Sequence, residues 1–170
     1  EPSFGGCGFL ASAAARLRTL GARNPWRNLY GCDIQKSAFD YLPASLRNDY
    51  DQHFLLCDFL ALRRPPGWPT QFNAVVGNPP YVSNHNLSIT KRKIAHRALG
   101  LAKDATTVPL TASLWAYFVV HSIGYLAPGG RLALVLPRSF LDADYAQAIR
   151  RYVARNFKRS VVILVQKQLF

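Results

Sequence analysis

An open, mostly parallel α/β sheet, doubly wound with helices on both faces, is the fold the sequence predicts. Two observations carry that prediction. Five short apolar segments of strand character alternate with amphipathic helical stretches, and such alternation builds a parallel sheet covered on both sides. Three of those segments end at Asp33, Asp58 or Asn78, at the carboxyl ends where open parallel sheets gather their ligands. A length of 170 residues, 49% of them apolar, is enough for one domain with a buried core.

The elements follow in order. Phe9 to Leu20 spaces Phe9, Leu10, Ala13, Ala14, Leu17 and Leu20 as one helical face. A Gly-Ala-Arg-Asn-Pro turn leads to a strand from Asn28 to Cys32 that ends at Asp33, and Ser37 to Leu42 reads as a short helix stopped by Pro43. His53 to Cys57 is the next strand. The Pro-rich loop Arg64 to Pro69 precedes the strand Phe72 to Gly77. Residues 82–109 show weak periodicity and read as a long basic insertion loop, a length that in a compact domain points to function or to disorder. Thr111 is the expected cap of a helix with Leu114, Trp115, Phe118, Val119, Ile123 and Leu126 on its apolar face. Pro128-Gly129-Gly130 should end that helix and turn into a strand from Arg131 to Leu136. Asp142 is the expected cap of a last helix facing inward through Tyr145, Ala148, Ile149, Tyr152 and Val153, and Val161 to Val165 is the closing strand.

Composition narrows the function. Lys and Arg number 21 against 9 Asp and Glu, a net charge of +12, which favours a polyanionic partner because basic side chains displace counterions from phosphates. A basic protein that is merely soluble would have the same balance. The longest apolar run, Leu114 to Tyr125, contains His121, Ser122 and Gly124 and reads as a buried helix, so no membrane partner is expected. Glu1-Pro2-Ser3 has neither the basic nor the apolar character of a signal peptide. Cys7, Cys32 and Cys57 are spaced too widely for a zinc site and read as small, buried, reduced thiols of a cytoplasmic protein, with no metal expected.

Four places could do chemistry. Glu1-Pro2-Ser3-Phe4-Gly5-Gly6-Cys7-Gly8 is a glycine-rich turn opening a helix, where backbone amides can approach a ligand. A plain tight turn would use the same glycines, and the spacing does not fit the dinucleotide fingerprint. Asp33 can accept from ribose hydroxyls, and Asp58 occupies the equivalent strand end; both are also ordinary turn residues. Asn78-Pro79-Pro80-Tyr81 is the most informative. Two prolines stiffen the chain just past a strand and remove two donors, leaving the Asn78 amide oxygen and the Pro79 carbonyl as fixed acceptors for one amine. Tyr81 adds a flat face on which a base can stack, an interaction worth roughly 1–3 kcal/mol.

These motifs resemble the amino-methyltransferase branch of the class I S-adenosylmethionine-dependent methyltransferases. The likeness is to adenine-N6 DNA methyltransferases of gamma motif order, as found in type I and fused restriction–modification enzymes. Glu1-Pro2-x-x-Gly5 resembles the family's first motif, Asn78-Pro79-Pro80-Tyr81 its catalytic motif, and Leu126-Ala127-Pro128-Gly129-Gly130-Arg131 the turn before its fifth strand. The resemblance implies S-adenosylmethionine as cofactor, contacted by Glu1, Pro2, Gly5, Asp33, Ile34, Asp58, Phe59 and Asn78. It implies a Rossmann-like fold lacking its first strand and its C-terminal hairpin. The chain would be a partial catalytic domain spanning residues 1–170, without the target-recognition domain. It further implies direct methyl transfer to a flipped adenine held by Asn78, Pro79, Pro80 and Tyr81. Double-stranded DNA is the expected partner, met by Lys91, Arg92, Lys93, Arg97, Lys103 and Arg138. A specificity subunit or fused recognition domain, and a prokaryotic cytoplasm, complete the expectation. Methyltransferases of ribosomal RNA or of release-factor glutamine share the Asn-Pro-Pro-aromatic motif and remain alternatives, as does a DNA-binding module without catalysis.

Overall fold

The chain alternates strand and helix, and its strands are short. The structure, a computed structural model, describes residues 1–46, 52–99 and 108–165. Helix α1 spans Gly8–Thr19 and buries Leu10 and Ala14, while Arg16 and Arg18 in its last turn complement the negative end of the helix dipole. A 3₁₀ turn at Pro25–Asn28 takes the place of the start of the expected first strand, so β1 is only Gly31–Asp33. Pro25 fixes the first φ of that turn. The expected helix after it is a 3₁₀ segment, Lys36–Tyr41. Strand β2, Phe54–Leu56, pairs in parallel with β1, Gly31 opposite Phe54 and Asp33 opposite Leu56.

Strand β3 is Phe72–Gly77, as the sequence predicts, and pairs in parallel with β4, Leu126–Leu134. Pro128-Gly129-Gly130 does not precede β4 but lies inside it. Phe72 pairs with Leu126 and Ala74 with Arg131, so the intervening residues form a bulge, with Gly129 at φ +77°. Leu126 is therefore the start of a strand and not part of a helix face. Among the described residues the expected five-stranded sheet is two parallel pairs, β1–β2 and β3–β4. Val161–Val165 pairs with nothing there and is largely exposed, with Ile163 82% accessible.

The insertion read as a loop contains helix α2, Ile89–Ala98, whose Ser88 hydroxyl accepts from the Lys91 N–H as an N-cap. Its pattern is weak because the fully buried positions, Ala95 and Ala98, are small, Ile94 is only partly buried, Ile89 is exposed, and the other positions are mostly basic. Helix α3, Leu114–Ile123, follows Ser113 and not Thr111, and every residue from Leu114 to Ser122 is buried. Asp142 does not cap the last helix. It ends the one-turn α4, Ser139–Asp142, and takes the Arg138 guanidinium at 2.8 Å, whereas α5, Ala146–Asn156, starts after Tyr145. Among the described residues no helix is long and apolar enough to cross a membrane.

Two apolar clusters hold these pieces. The larger joins α2, α3 and α5 to Cys32, Phe59, Leu60 and Leu62. The smaller packs Phe4, Cys7 and Leu10 against Ala38, Leu42, Leu46 and Phe54. In the larger one His121 is fully buried between Phe59 and Tyr125, its Nδ1 3.1 Å from the Ala98 carbonyl. Burial drives its pKa down to about 4.

Gly31 fixes how the smaller cluster meets β1. A Cβ there would lie 2.9 Å from Phe4 Cδ1 and 3.1 Å from the Glu1 carbonyl oxygen. Phe4 cannot yield, since it is wedged edge-on against Phe39 and Phe54. Gly31→Ala should therefore lower unfolding free energy by about 1–3 kcal/mol, read as a reduced urea midpoint at unchanged slope. His121 generates a second expectation. The unfolded imidazole titrates near its ordinary value and the buried one near pH 4, so its neutral form supports the fold above about pH 6.5. That support is lost as pH falls from there toward 4, by an amount on the order of 3 kcal/mol. The urea midpoint difference between wild type and His121→Phe, followed from pH 7 to 4.5, should isolate it.

Candidate functional site

The first five residues tie the strand ends together. Pro2 bridges Cys32 in parallel; the Cys32 N–H donates to the Glu1 carbonyl at 3.2 Å and the Ser3 N–H to the Cys32 carbonyl at 2.8 Å. On its other side the segment lies over the end of β3, where a Cβ on Gly77 would sit 3.4 Å from the Pro2 carbonyl. Ser3 Oγ donates to the Pro2 carbonyl at 2.5 Å and lies 3.4 Å from the Asn78 carbonyl, a second and longer contact. The path requires left-handed backbone at Ser3 (φ 61°), Gly5 (φ 47°) and Cys7 (φ 60°). For non-glycine residues such a conformation costs roughly 1–3 kcal/mol, and it clusters at functional sites. Nothing lies within 4 Å of where a Cβ would stand on Gly5, Gly6 or Gly8. The loop thus faces open space.

Asp33 is buried and already occupied. Its Oδ2 accepts from the Gly5 N–H at 2.9 Å and its Oδ1 from the Gln35 N–H at 2.8 Å. A carboxylate has about four acceptor positions, so two remain. The neighbouring Ile34 side chain is 67% exposed and offers an apolar surface beside it. Glu1 is the least satisfied group nearby. Its Oε2 is buried without a partner among the described residues. Burial pushes its carboxyl up to about 7, against the opposing pull of the Leu10 N–H, and the negative Asp33 adds to the rise.

Asp58 stands at the end of the next strand. Its Oδ1 caps the 3₁₀ turn Phe59–Ala61 by accepting from the Leu60 N–H at 3.1 Å, and its Oδ2 takes the Lys91 ammonium at 2.5 Å. Phe59 turns its ring into the core against Phe118, His121 and Tyr125, which leaves only its backbone to face a ligand. Between the two aspartates, Cys32 and Cys57 share a thiol hydrogen bond that raises the Cys32 pKa and lowers that of Cys57. Cys7 and Cys32 are buried as expected, but Cys57 is half-exposed.

The Asn78-Pro79-Pro80-Tyr81 segment leaves β3 at a fixed point, because the Gly77 carbonyl accepts from the Val135 N–H at 3.0 Å. Pro79 is fully buried and anchors the segment. Tyr81 is 44% exposed, and its hydroxyl donates to Asn78 Oδ1 at 2.7 Å. Ser3 therefore touches the backbone of Asn78 and Tyr81 holds its side chain, while Gly5 carries the connection on to Asp33.

The basic residues divide. Lys93 and Arg97 are exposed on α2, Arg92 donates to the Asn84 carbonyl at 3.0 Å, and Lys91 turns inward to Asp58. Arg138 is exposed but ion-paired with Asp142. Lys103 lies outside the described residues. Sequence reasoning missed Ser3 and the inward role of Lys91. Only Lys91 had a visible signal, its i, i+4, i+7 spacing with Ala95 and Ala98. Two clefts of about 580 and 610 Å³ flank the strands, and neither touches Asp33, Asp58, Asn78 or Tyr81. The first separates β1 from β3 beneath the Glu1–Pro2 segment and is lined by Leu10, Tyr30, Cys32, Phe72 and Val75. The second lies between β4 and residues 160–164.

The profile of the Eco57I restriction-modification methylase family matches residues 44–170. Over 117 residues the chain is 26% identical to the type II methyltransferase M.BstVI of Geobacillus stearothermophilus, covering 69% of this chain and 20% of that protein. It is 22% identical to the type II methyltransferase M.AccI of Acinetobacter calcoaceticus, covering 100% of this chain and 29% of the relative. A 97-residue stretch is 30% identical to the type II methyltransferase M.HincII of Haemophilus influenzae, covering 55% of this chain and 18% of that protein. The chain thus spans less than a third of the length of these relatives. With the family profile matched over most of its length, the chain belongs to the Eco57I restriction-modification methylase family.

Proposed function

We propose that this chain is the catalytic part of a DNA methyltransferase that methylates the N6 amine of adenine in a restriction–modification or phage-defence setting. The observation that carries the reading is the Asn78–Tyr81 arrangement. An amide oxygen is held in place at the end of β3, an exposed aromatic ring stands beside it, and a glycine-rich loop with open space above it is bonded to the same residue. An amine with two protons needs two acceptors and a flat base needs a face. Asn78 Oδ1 and the Pro79 carbonyl are the acceptors, and the Tyr81 ring is the face.

The loop residues fit S-adenosylmethionine. Glu1 Oε2 is a buried acceptor without a partner, a position that favours a cationic group such as the amino end of the cofactor. Asp33 retains two acceptor positions toward a ribose, Ile34 an exposed apolar side chain, and Asp58 the equivalent place one strand further on. Pro2, Gly5, the backbone of Phe59 and Asn78 complete the lining. When bound, the cofactor supplies the electrophilic methyl group. The chain's own residues orient the two reactants, with Asn78 and Pro79 steering the amine lone pair and Tyr81 holding the ring plane, so that positioning and electrostatics provide the rate.

Lys93 and Arg97 on α2, with Arg92, Arg138 and Lys103, are the residues we assign to DNA phosphates, in keeping with the net charge of +12. Double-stranded DNA is the substrate. Target choice then falls to a fused recognition domain or a specificity subunit, in a prokaryotic cytoplasm. The two parallel strand pairs are read as halves of one open, doubly wound sheet, with the apolar clefts beside β1, β3 and β4 as the places where further strands complete it.

The test is transfer from methyl-labelled S-adenosylmethionine by the full-length protein, with duplex DNA, ribosomal RNA and release factor offered together. Label should be recovered as N6-methyladenine in DNA. Label on RNA or protein would keep the catalytic motif and overturn the substrate; bound DNA with no label anywhere would indicate a binding module. Asn78→Ala should reduce kcat at least 100-fold while leaving the calorimetric affinity for S-adenosylmethionine within about twofold. Undiminished turnover in that variant would remove Asn78 from the mechanism.

A further inference from the structure

The sequence groups Lys91 with its basic neighbours as a phosphate contact, and its position on α2 says otherwise. It shares a helix face with Ala95 and Ala98, at i+4 and i+7, both fully buried. Lys93 and Arg97, four residues apart on another face, are the exposed pair. The Lys91 stem runs inward and its ammonium sits 2.5 Å from Asp58 Oδ2, with only 23% and 20% of the two side chains accessible. A lysine destined for DNA would keep its charge in the solvent.

Helix α2 is also fastened at its other end. The Arg63 guanidinium donates to the Arg97 carbonyl at 2.6 Å, and Arg63 lies just past the 3₁₀ turn that Asp58 caps. The helix is thus clasped twice onto the segment that follows β2, once at the Asp58 carboxylate and once beyond it. With one bond from the Leu60 N–H and one from Lys91, that carboxylate has its direction set while about two acceptor positions stay open.

We propose that Lys91 is a positioning residue of the cofactor site: its ammonium clamps the Asp58 carboxylate, so that cofactor affinity depends on a side chain of the insertion helix. The proposal rests on the reading of Asp58 as a cofactor-site residue. It removes Lys91 from the DNA surface and gives α2 two roles, with one face on Asp58 and the turn it caps and another, bearing Lys93 and Arg97, toward phosphate.

The experiment uses the full-length protein as wild type, Lys91→Met, Lys91→Arg, Lys93→Ala and Asp58→Asn. Affinity for S-adenosylmethionine is measured by calorimetry, KM and kcat by methyl transfer, and duplex affinity as a function of salt. Lys91→Met should weaken cofactor binding about tenfold through KM, with kcat within about twofold, and Lys91→Arg should recover most of the loss. The slope of log affinity for duplex DNA against log salt should be unchanged in Lys91→Met and smaller by about 0.9 in Lys93→Ala. A wild-type protein that does not bind S-adenosylmethionine, or an Asp58→Asn variant that binds it undiminished, would overturn the underlying reading and the proposal with it. Given wild-type binding that Asp58→Asn weakens, unchanged or tighter binding by Lys91→Met would overturn the proposal alone, tighter binding making Lys91 a competitor for Asp58. So would failure of Lys91→Arg to restore binding, or loss of about 0.9 from the DNA salt slope of Lys91→Met.

Discussion

Everything at this site hangs on one backbone contact, the parallel bridge between Pro2 and Cys32. It lays the glycine-rich segment into the carboxyl end of the gap between β1 and β3, so that one short stretch of chain touches both strand pairs. Two backbone hydrogen bonds secure it to Cys32, and Ser3 extends it to Asn78. Gly31 is what lets it fit, because a side chain there would strike both the Phe4 ring and the Glu1 carbonyl. The Asn78–Tyr81 segment past β3 and the carboxylate on β1 have no shared strand ladder, since the described strands form two separate pairs.

The cost of that crossing is backbone strain and a poorly solvated carboxylate. Ser3 and Cys7 adopt left-handed backbone without being glycine, and Glu1 keeps one oxygen buried and unpaired. Each such feature opposes folding by roughly 1–3 kcal/mol. Their concentration in seven consecutive residues is hard to explain by packing, which would relax them. A ligand bound at this loop would offset that cost. A cation reaching Glu1 would return a hydrogen bond to the buried oxygen and hold the carboxylate ionised, against the burial that pushes its pKa up. The empty space above Gly5, Gly6 and Gly8 gives such a ligand room to approach.

Much of this was legible in the residues. β3 runs over Phe72–Gly77 as its Phe-Asn-Ala-Val-Val-Gly run suggests, α3 is the buried helix implied by its apolar run, and Asp33, Asp58 and Asn78 stand at or just beyond strand ends. The misreadings have a common physical origin. Helix α2 lacks a large apolar face because alanines suffice where helix and 3₁₀ turn pack closely, so its periodicity is faint beside the basic residues around it. The Pro128-Gly129-Gly130 bulge and the short β1 reflect register and pairing, which depend on the partner strand and not on local propensity. Val161–Val165 has the composition of a strand, yet backbone pairing needs a neighbour, and the described residues supply none. Charge misled in the same way: the sequence cannot tell an inward lysine from an outward one until the helix carrying it is recognised.

The Tyr81–Asn78 hydrogen bond bears on how the free site is kept ready. An amide side chain at the rim of a site ordinarily samples several rotamers and either end of its amide. The tyrosine hydroxyl, donating to the amide oxygen at 2.7 Å, restricts the side chain to one rotamer beside the ring; a flipped amide would donate to the same hydroxyl, so the contact fixes the place of the amide. The same ring is partly exposed, so the group that orients the acceptor is also the surface against which a planar base would lie. An arriving amine takes either the second lone pair of Asn78 Oδ1 or the place of the hydroxyl, and each route exchanges comparable hydrogen bonds with a net change of only about 1 kcal/mol. For the proposed transfer, an acceptor oriented in advance at so little energetic cost would meet the condition under which electrostatic positioning contributes most to rate.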